Sequence, residues 1–390
     1  VSYRPWPPQA VSFALYFFAY YGYVGLFTPY VSLFFADRGM TAAQVGVLMT
    51  LMQMSRILGP NLWGWVADHT RSRVNVLRLT AAGSLLSAAA LYADDSFAWF
   101  FVVMCLLNTF TSSQIPLSEA LMLSEMKGDL ARYGPLRLWG SVGFIVLVTA
   151  GGKLFDWLGI GALPAASALV LLGVLLVGQR LREVPHDHGQ REIPPVGPLL
   201  RRREVRAFFV STFLMIAAHA AIYVYFSLYL ANLGYNNTVI GFMWSLGVIA
   251  EIVFFYFQAP IFQRIPVRTI MLASFGLAVL RFLLIGFGAE TLALLLVAQV
   301  LHAASFGSHH SACVVTMQRW FSGPLQARGQ ALYISVSYGL GGTLGGLALS
   351  VLWDKSGAQA VYLLAAGFAL AGGAAAALSY RWQTLREETP

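Results

Sequence analysis

Residues 30–51 read YVSLFFADRGMTAAQVGVLMTL, and residues 225–246 read YFSLYLANLGYNNTVIGFMWSL. Slid by 195 positions, Tyr30, Ser32, Leu33, Ala36, Gly39, Gly46 and Leu51 fall on Tyr225, Ser227, Leu228, Ala231, Gly234, Gly241 and Leu246. Seven identities in 22 positions without a gap point to an internal duplication. Outward from the two copies, apolar runs recur near 11–36, 42–66, 74–92, 97–122, 134–153, 158–179, 207–232, 238–260, 268–288, 291–317, 329–352 and 358–380. A transmembrane helix needs about 20 apolar residues. The runs are continuous rather than alternating, which speaks against a membrane β-barrel. The first is longer than a signal-peptide core and no small-residue cleavage site follows it, so it reads as a retained helix. The expected fold is all-α integral membrane, with twelve transmembrane helices in two pseudo-symmetric six-helix bundles.

Composition agrees. Of 390 residues, 58% are hydrophobic and 11% charged, against roughly 25% charged in a soluble domain. Mean hydropathy is +0.66. Polar residues this scarce could not cover a water-soluble surface, which excludes an ordinary soluble enzyme and a disordered chain. Cys105 and Cys313 both lie in apolar runs and suggest neither a disulfide framework nor a zinc site.

The net charge of +8 is a matter of topology. With the N-terminus cytoplasmic, nineteen of the 25 Lys and Arg fall on cytoplasmic segments. Arg38, Lys153 and Lys355 fall on the other side, and Arg56, Arg137 and Arg281 lie inside helices. That asymmetry is a strong positive-inside signal. It puts both termini in the cytoplasm and makes nucleic-acid binding unnecessary as an explanation. The longest polar stretch carries Pro185, Pro194, Pro195 and Pro198 and most of the basic residues. The expected organisation is an N-terminal six-helix bundle over 1–180, a cytoplasmic linker over 181–206 and a C-terminal bundle over 207–390. Parallel halves related by an axis along the membrane normal are one transporter design, which works by rocking one bundle against the other.

The segment Gly64-Trp65-Val66-Ala67-Asp68-His69-Thr70-Arg71-Ser72-Arg73 joins the second and third runs. It resembles the loop signature of the major facilitator superfamily: a glycine, an aspartate four residues later, then basic residues. It departs at Arg71, where the family usually has glycine, and at Ser72, where it has arginine. In the second half only the basic end survives, as Arg264 and Arg268. The resemblance implies helix packing at Gly64 and charge pairing by Asp68, with Arg71 and Arg73, as a latch.

Within that superfamily the chain is similar over nearly its whole length to the lactose permease and phenylpropionate permease group. The pieces that carry the resemblance are Glu119 followed by Tyr133-Gly134-Pro135-Leu136-Arg137-Leu138-Trp139-Gly140-Ser141-Val142-Gly143, then Trp244-Ser245-Leu246-Gly247-Val248-Ile249-Ala250-Glu251, and Leu301-His302. The spacing from Glu119 to Arg137 is the family's carboxylate–arginine spacing, and in the sugar symporters that pair binds substrate. The match looks closer to the phenylpropionate permeases around Arg137, Glu251 and His302. Lactose permease has a proton-carrying carboxylate three residues after the equivalent of His302. Here Ser305 stands there, so proton coupling does not transfer through that position.

Ionisable side chains at membrane depth are costly and normally face a cavity or a partner. Arg56 and Glu251 are again 195 apart and lie at matching depths, slightly past mid-membrane. They read either as a cavity pair, with the arginine meeting an anion and the carboxylate titrating, or as a structural ion pair. Arg281 and His302 sit near the middle of the ninth and tenth runs. Histidine changes charge near neutral pH, so His302 reads as a proton relay or as a packing histidine. Arg281 stays charged and must be paired or solvated. Glu119 and Arg137 alone would read as an interfacial salt bridge; the resemblance makes them a substrate or gating pair. His219, His309 and His310 are weaker candidates, and His309 with Cys313 makes no convincing metal site. Tyr20, Tyr23 and Phe27 share one helical face, as do Tyr225 and Tyr229. These rings read either as a wall for an aromatic ligand or as lipid contact and core packing. The glycines at 140, 143 and 339–346 are not phosphate loops, because no strand precedes them and no Walker lysine follows. Small residues at that spacing let membrane helices approach closely.

The expected function is secondary active transport: a proton-coupled symporter importing a small organic acid, such as a phenylpropionate-like carboxylate, by alternating access. Expected substrate contacts are Arg56, Glu119, Arg137, Arg281, Tyr20, Tyr23, Phe27, Tyr225 and Tyr229. Expected proton carriers are Glu251, Glu119 and His302. No cofactor or metal is expected; a proton gradient supplies the energy, with Na⁺ an open alternative. The expected partners are the small-molecule substrate, protons and the lipid bilayer, for a monomer in the inner (plasma) membrane. A sugar or nucleoside symporter and a non-transporting membrane sensor are the other readings. No nucleophile–base arrangement suggests an enzyme.

Overall fold

The computed structural model describes residues 6, 8–126, 130–183 and 195–387. Residues 184–194 of the expected linker lie outside the described residues, as do Arg4, Lys127 and Arg191. Helices make up nearly all of the rest, and there is no strand among the described residues.

Nine of the described helices are long and apolar enough to cross a membrane. They are α1 (Ala10–Asp37), α4 (Phe97–Glu125), α5 (Tyr133–Leu158), α6 (Ile160–Gly178), α7 (Arg203–Asn232), α8 (Asn237–Arg264), α9 (Val267–Gly288), α10 (Leu292–Trp320) and the 58-residue span Arg328–Leu385. That last span is two helices, α11 (328–356) and α12 (358–385), because Gly357 breaks it at φ 77°. Two more helices, α2 (Ala42–Thr70) and α3 (Arg73–Ala90), carry more polar residues. With them the described residues contain the expected twelve helices.

Packing divides the chain into two compact units. The first comprises Val1–Met40, Ser55–Gly189 and Asn236–Ser245, and the second Thr41–Met54, Gln190–Tyr235 and Leu246–Pro390. The repeat-related helices α2 and α8 therefore each start in one unit and end in the other. In the first unit α1 packs on α5 and α6, and α3 on α4 and α6. In the second unit α7 and α9 both pack on the pair α11–α12, and α9 also packs on α10.

The duplicated residues hold these exchanged segments in place. In the first unit the Tyr30 hydroxyl donates to the Val148 carbonyl at 2.7 Å. A Cβ at Gly241 would lie 2.2 Å from that hydroxyl and 2.6 Å from the same carbonyl. In the second unit a Cβ at Gly46 would lie 2.4 Å from the Tyr225 hydroxyl and from Ser350 Cβ. Tyr30 and Tyr225 are repeat equivalents, and so are Gly46 and Gly241, so one contact is built twice. The helix N-termini beside them are capped in parallel fashion. Asp156 accepts from the Asn237 and Thr238 amides at 2.8 and 2.9 Å, and Asp354 accepts from the Ala43 amide at 3.2 Å. A carboxylate at a helix N-terminus satisfies orphan N–H groups and opposes the helix dipole.

The glycines expected to bring helices together do so. A Cβ at Gly143 would lie 2.1 Å from the Phe18 carbonyl oxygen, and one at Gly341 would lie 2.6 Å from that of Phe213. Phe18 and Phe213 are themselves repeat equivalents.

The loop between α2 and α3 departs from the latch expected there. A Cβ at Gly64 would meet nothing within 4 Å among the described residues. Asp68 forms no ion pair among the described residues. Arg73 instead donates to Ser124 Oγ at 3.1 Å. Glu183 accepts from Ser72 Oγ and the Val74 amide and so caps α3. Arg71 sits at φ 51°, the left-handed region in which glycine is at ease and other residues are strained.

Three stability outcomes follow. Gly241→Ala must displace the Tyr30 hydroxyl and a backbone carbonyl, and is expected to destabilise by about 1–3 kcal/mol. Gly173→Ala, whose new methyl meets nothing within 4 Å, should cause no loss. Arg71→Gly should stabilise by about 1 kcal/mol through relief of the left-handed strain. Thermal unfolding of the purified protein in detergent measures all three.

Candidate functional site

Among the described residues, two clusters of charged side chains stand within the helices, one in each unit. In the first, Tyr133 and Arg137 lie one turn apart on α5 and both reach Glu119 on α4. Arg137 Nε donates to Glu119 Oε1 at 3.1 Å, and the Tyr133 hydroxyl donates to the same oxygen at 3.0 Å. Arg137 also donates to the Tyr21 hydroxyl of α1. Its guanidinium carbon lies 4.0 Å from the centre of the Tyr21 ring and 5.8 Å from that of Phe17. Gly140, one turn on, makes this possible: a Cβ there would lie 2.7 Å from both Arg137 Nη1 and the Tyr21 ring. The Arg137 and Glu119 side chains remain 28% and 27% accessible. Arg56, in the same unit, is exposed and interacts electrostatically with the Tyr20 and Tyr21 hydroxyls.

The second cluster is a row of side chains from α7, α9, α10 and α8, most deeply buried at Arg281 and His219. Arg281 is 1% exposed. Its Nε donates to the Ala298 carbonyl at 3.0 Å, and Nη2 faces Gln299 Oε1 at 3.5 Å. Nη1 lies 3.4 Å from His219 Nε2. His219 Nδ1 lies 2.9 Å from the Met215 carbonyl. A carbonyl only accepts, so Nδ1 carries the hydrogen and Nε2 is the lone-pair nitrogen that Arg281 meets. His219 is thus the neutral Nδ1–H tautomer. The His219 and His302 rings are 6.1 Å apart, with Phe306 stacked on His302 at 5.1 Å. His302 Nε2 pairs with Glu251 Oε1 at 3.3 Å. His302 Nδ1 has no hydrogen-bond partner among the described residues.

Local backbone explains how these groups meet. A π-helical turn, Ala303–Gly307, follows His302 directly, and another, Ala221–Tyr225, starts two residues after His219. Such turns shift the side-chain register and are frequent at functional sites. At Gly247, a Cβ would lie 3.5 Å from both Gln299 Oε1 and the His302 ring, so α8 passes close to this part of α10.

The expected site residues thus separate. Glu119 and Arg137 meet; Glu251 meets His302; Arg281 meets His219. Arg56 and Glu251 belong to different units. The aromatic residues adopt the packing alternative. Tyr20, Tyr23 and Phe27 are 8%, 4% and 1% exposed, and Tyr23 stacks on Phe27. Tyr20 donates to the Thr111 carbonyl and Tyr229 to that of Gly286. Tyr225 stacks on Trp353 at 4.7 Å. These rings line no open wall in this structure. Tyr133 and Tyr21 are the aromatic residues that hydrogen-bond to Glu119 and Arg137. Tyr21 stands on the crowded first helix and Tyr133 within the quoted motif, but helical spacing alone does not single out either. Gln299, which caps Arg281, carries no sequence signal.

Removing the His219 ring should leave Arg281 buried with one acceptor fewer. His219→Ala is expected to lower stability by about 1–3 kcal/mol, while His219→Gln, which restores a side-chain acceptor, should recover part of it. Thermal unfolding in detergent distinguishes the two.

Residues 11–364 match the family model described as the MFS_1 like family. The probable 3-phenylpropionic acid transporter of Escherichia coli (strain K12) is 31% identical over 342 residues, covering 85% of this chain and 86% of that protein. The maltose permease of Geobacillus stearothermophilus is 27% identical over 354 residues, covering 90% and 89%. Among solved structures, the nucleoside transporter NupG superposes with a TM-score of 0.80 at 18% identity, covering 96% of this chain and 99% of that one. The chain is a multi-pass membrane transporter of the major facilitator type and belongs to the MFS_1 like family.

Proposed function

We propose that the protein is a proton-coupled symporter that imports a small monocarboxylate with an aromatic or apolar body by alternating access, and that its second charged cluster couples the two ligands. The observation that carries this reading is the row Arg281, His219, His302 and Glu251. Arg281 is a fixed positive charge, because guanidinium does not deprotonate in proteins. The His302–Glu251 pair holds one exchangeable proton. Without it the row is neutral overall; with it the row carries one surplus positive charge. A monocarboxylate then cancels that charge. Proton and substrate favour each other's binding, and by linkage the favour is equal in both directions. Desolvation disfavours charged forms, so the half-loaded, unbalanced states resist closure while the fully loaded and fully empty neutral states permit it.

In the first unit, Arg137 and Glu119 neutralise each other, with both carboxylate bonds on Oε1. Their role in this reading is recognition of the substrate's polar end, with Arg56 as a second anion contact. Glu119 is the alternative proton carrier. The halves 1–180 and 207–390, joined by a cytoplasmic linker over 181–206, are the moving bodies. The loop at Gly64, Asp68, Arg71 and Arg73 latches in a conformation other than this one. The transporter works as a monomer in the inner membrane with both termini cytoplasmic. The likeness to the 3-phenylpropionic acid transporter supports the substrate class.

A second reading, sugar or nucleoside symport, is favoured by the likeness to maltose permease and by the half-exposed Glu119–Arg137–Tyr133 cluster, which offers hydroxyl-binding groups.

Uptake into proteoliposomes of labelled 3-phenylpropionate, cinnamate, maltose and uridine, with and without an inward proton gradient, separates these. Gradient-driven uptake of the aromatic acids alone is expected. Glu251→Gln should abolish accumulation against a gradient yet retain substrate exchange. Arg56→Ala should abolish uptake in a protein that still folds. Accumulation by Glu251→Gln equal to wild type would sink the coupling assignment, and uptake of maltose or uridine instead would sink the substrate assignment.

A further inference from the structure

At one end of the second unit, helix α12 lies between α7 and α9, and a groove runs along each of its flanks. The groove against α9 has a volume of about 720 Å³ and is lined by Arg268, Ala374, Ala377, Leu378, Arg381 and Leu385, among others. The groove against α7 has a volume of about 290 Å³, lined by Arg203, Arg206, Val210, Ala375, Leu378 and Trp382. Both exist because α12 carries a run of alanines, Ala374 to Ala377, whose side chains end at Cβ. Leu378 is the ridge common to both.

The two grooves share one chemical layout. Their floors are methyl and isobutyl groups, with Leu378, Val210 and Leu385 left 44–50% exposed. Their rims are arginines. Arg203 and Arg206 stand in the first turn of α7, Arg268 in the first turn of α9 and Arg381 in the last turns of α12. None of the four pairs with a carboxylate among the described residues. Glu204, the acid in the first turn of α7, is buried at 6% exposure. Arg203 lies over Trp382 at 5.9 Å, and tryptophan favours the headgroup level of a bilayer.

We infer that these paired grooves bind anionic phospholipid of the cytoplasmic leaflet, with phosphate on the arginine rim and an acyl chain along the alanine floor. A free anion would use the rim and leave the apolar trough open to water. A zwitterionic lipid would fill the trough but bring its own cation to the rim. Only an anionic phospholipid complements both parts. Basic pockets between membrane helices at the cytoplasmic face have the chemistry for such headgroups, and each nearby arginine contributes about fivefold in lipid partitioning. Two lipids seated on either side of α12 would brace it against α7 and α9.

Native mass spectrometry of the full chain, titrated in detergent with phosphatidylglycerol or phosphatidylcholine, tests this. Wild type is expected to retain up to two phosphatidylglycerol molecules in preference to phosphatidylcholine. Arg268→Gln with Arg381→Gln should remove one site and Arg203→Gln with Arg206→Gln the other, each weakening retention about fivefold per arginine. Arg180→Gln with Arg201→Gln, the same charge loss outside the grooves, should leave retention unchanged. Ala374→Leu keeps every arginine but fills the α9 trough, and should remove one lipid even if an arginine variant fails to fold. Equal retention of the two lipids overturns the proposal. So does displacement of phosphatidylglycerol by millimolar inorganic phosphate, or undiminished binding in Ala374→Leu.

Discussion

The structure turns on one contact made twice: a tyrosine hydroxyl resting in the space that a glycine leaves. Tyr30 does this at Gly241 and Tyr225 does it at Gly46. Each tyrosine is fully buried, and its hydroxyl in a low-dielectric interior must find an acceptor. Tyr30 finds the Val148 carbonyl, and Tyr225 reaches the Ala42 carbonyl at 3.3 Å. A methyl at either glycine would push the hydroxyl off its acceptor, which costs both packing and a hydrogen bond. All four positions carry the same residue in both copies of the repeat, as the contact requires. It fixes where the first turns of α2 and α8 lie within the compact unit each has joined, and the capping carboxylates Asp354 and Asp156 reinforce it from the helix ends.

Such contacts set the limits of what is legible in the chain alone. Apolar length and the one-sided distribution of arginine indicate twelve helices, because the cost of exposing backbone or charge to lipid acts residue by residue. The repeat identities mark the tyrosine–glycine contact without saying what touches what. Glycine spacing rightly indicates close helix approach at Gly143 and Gly341. The partners of charged groups are less legible. Arg56 and Glu251 match in depth and in the repeat, yet Glu251 meets His302, because partner choice depends on rotation about each helix axis. The π-helical turns after His219 and His302 change that rotation locally, and no periodicity argument anticipates them. The aromatic faces show the opposite difficulty. A ring that walls a pocket and a ring that fills a core have the same spacing, and Tyr20, Tyr23, Phe27, Tyr225 and Tyr229 are all buried here.

The two charged clusters differ in a way that bears on their roles. Glu119 and Arg137 form a closed, neutral ion pair that is partly accessible and braced by two tyrosines. Replacing such a bond costs a ligand little, because exposed partners can exchange one oxygen for another. That suits recognition. Arg281 is almost wholly buried and is held by a carbonyl, an amide oxygen and an imidazole lone pair, none of which carries charge. Neutral acceptors lower the cost of burying the guanidinium but leave its charge uncancelled. In the proposed cycle Glu251 balances that charge while the row is empty, and the substrate balances it once the His302–Glu251 pair takes up a proton.

The neutral tautomer of His219 makes the arrangement directional. Its Nδ1 hydrogen is committed to Met215, so its lone pair faces Arg281 and cannot also serve the His302–Glu251 pair. A proton on His302 is therefore not handed on toward Arg281, whose own protons do not leave. Charge can change only at the Glu251 end, while the anchoring charge stays at the other, with two aromatic contacts through Phe306 between them. A fixed cation separated from a titratable pair by a neutral ring senses the pair's charge without exchanging protons with it. In the proposed cycle, an electrostatic link of this kind would couple an anion to a proton without any group having to bind both.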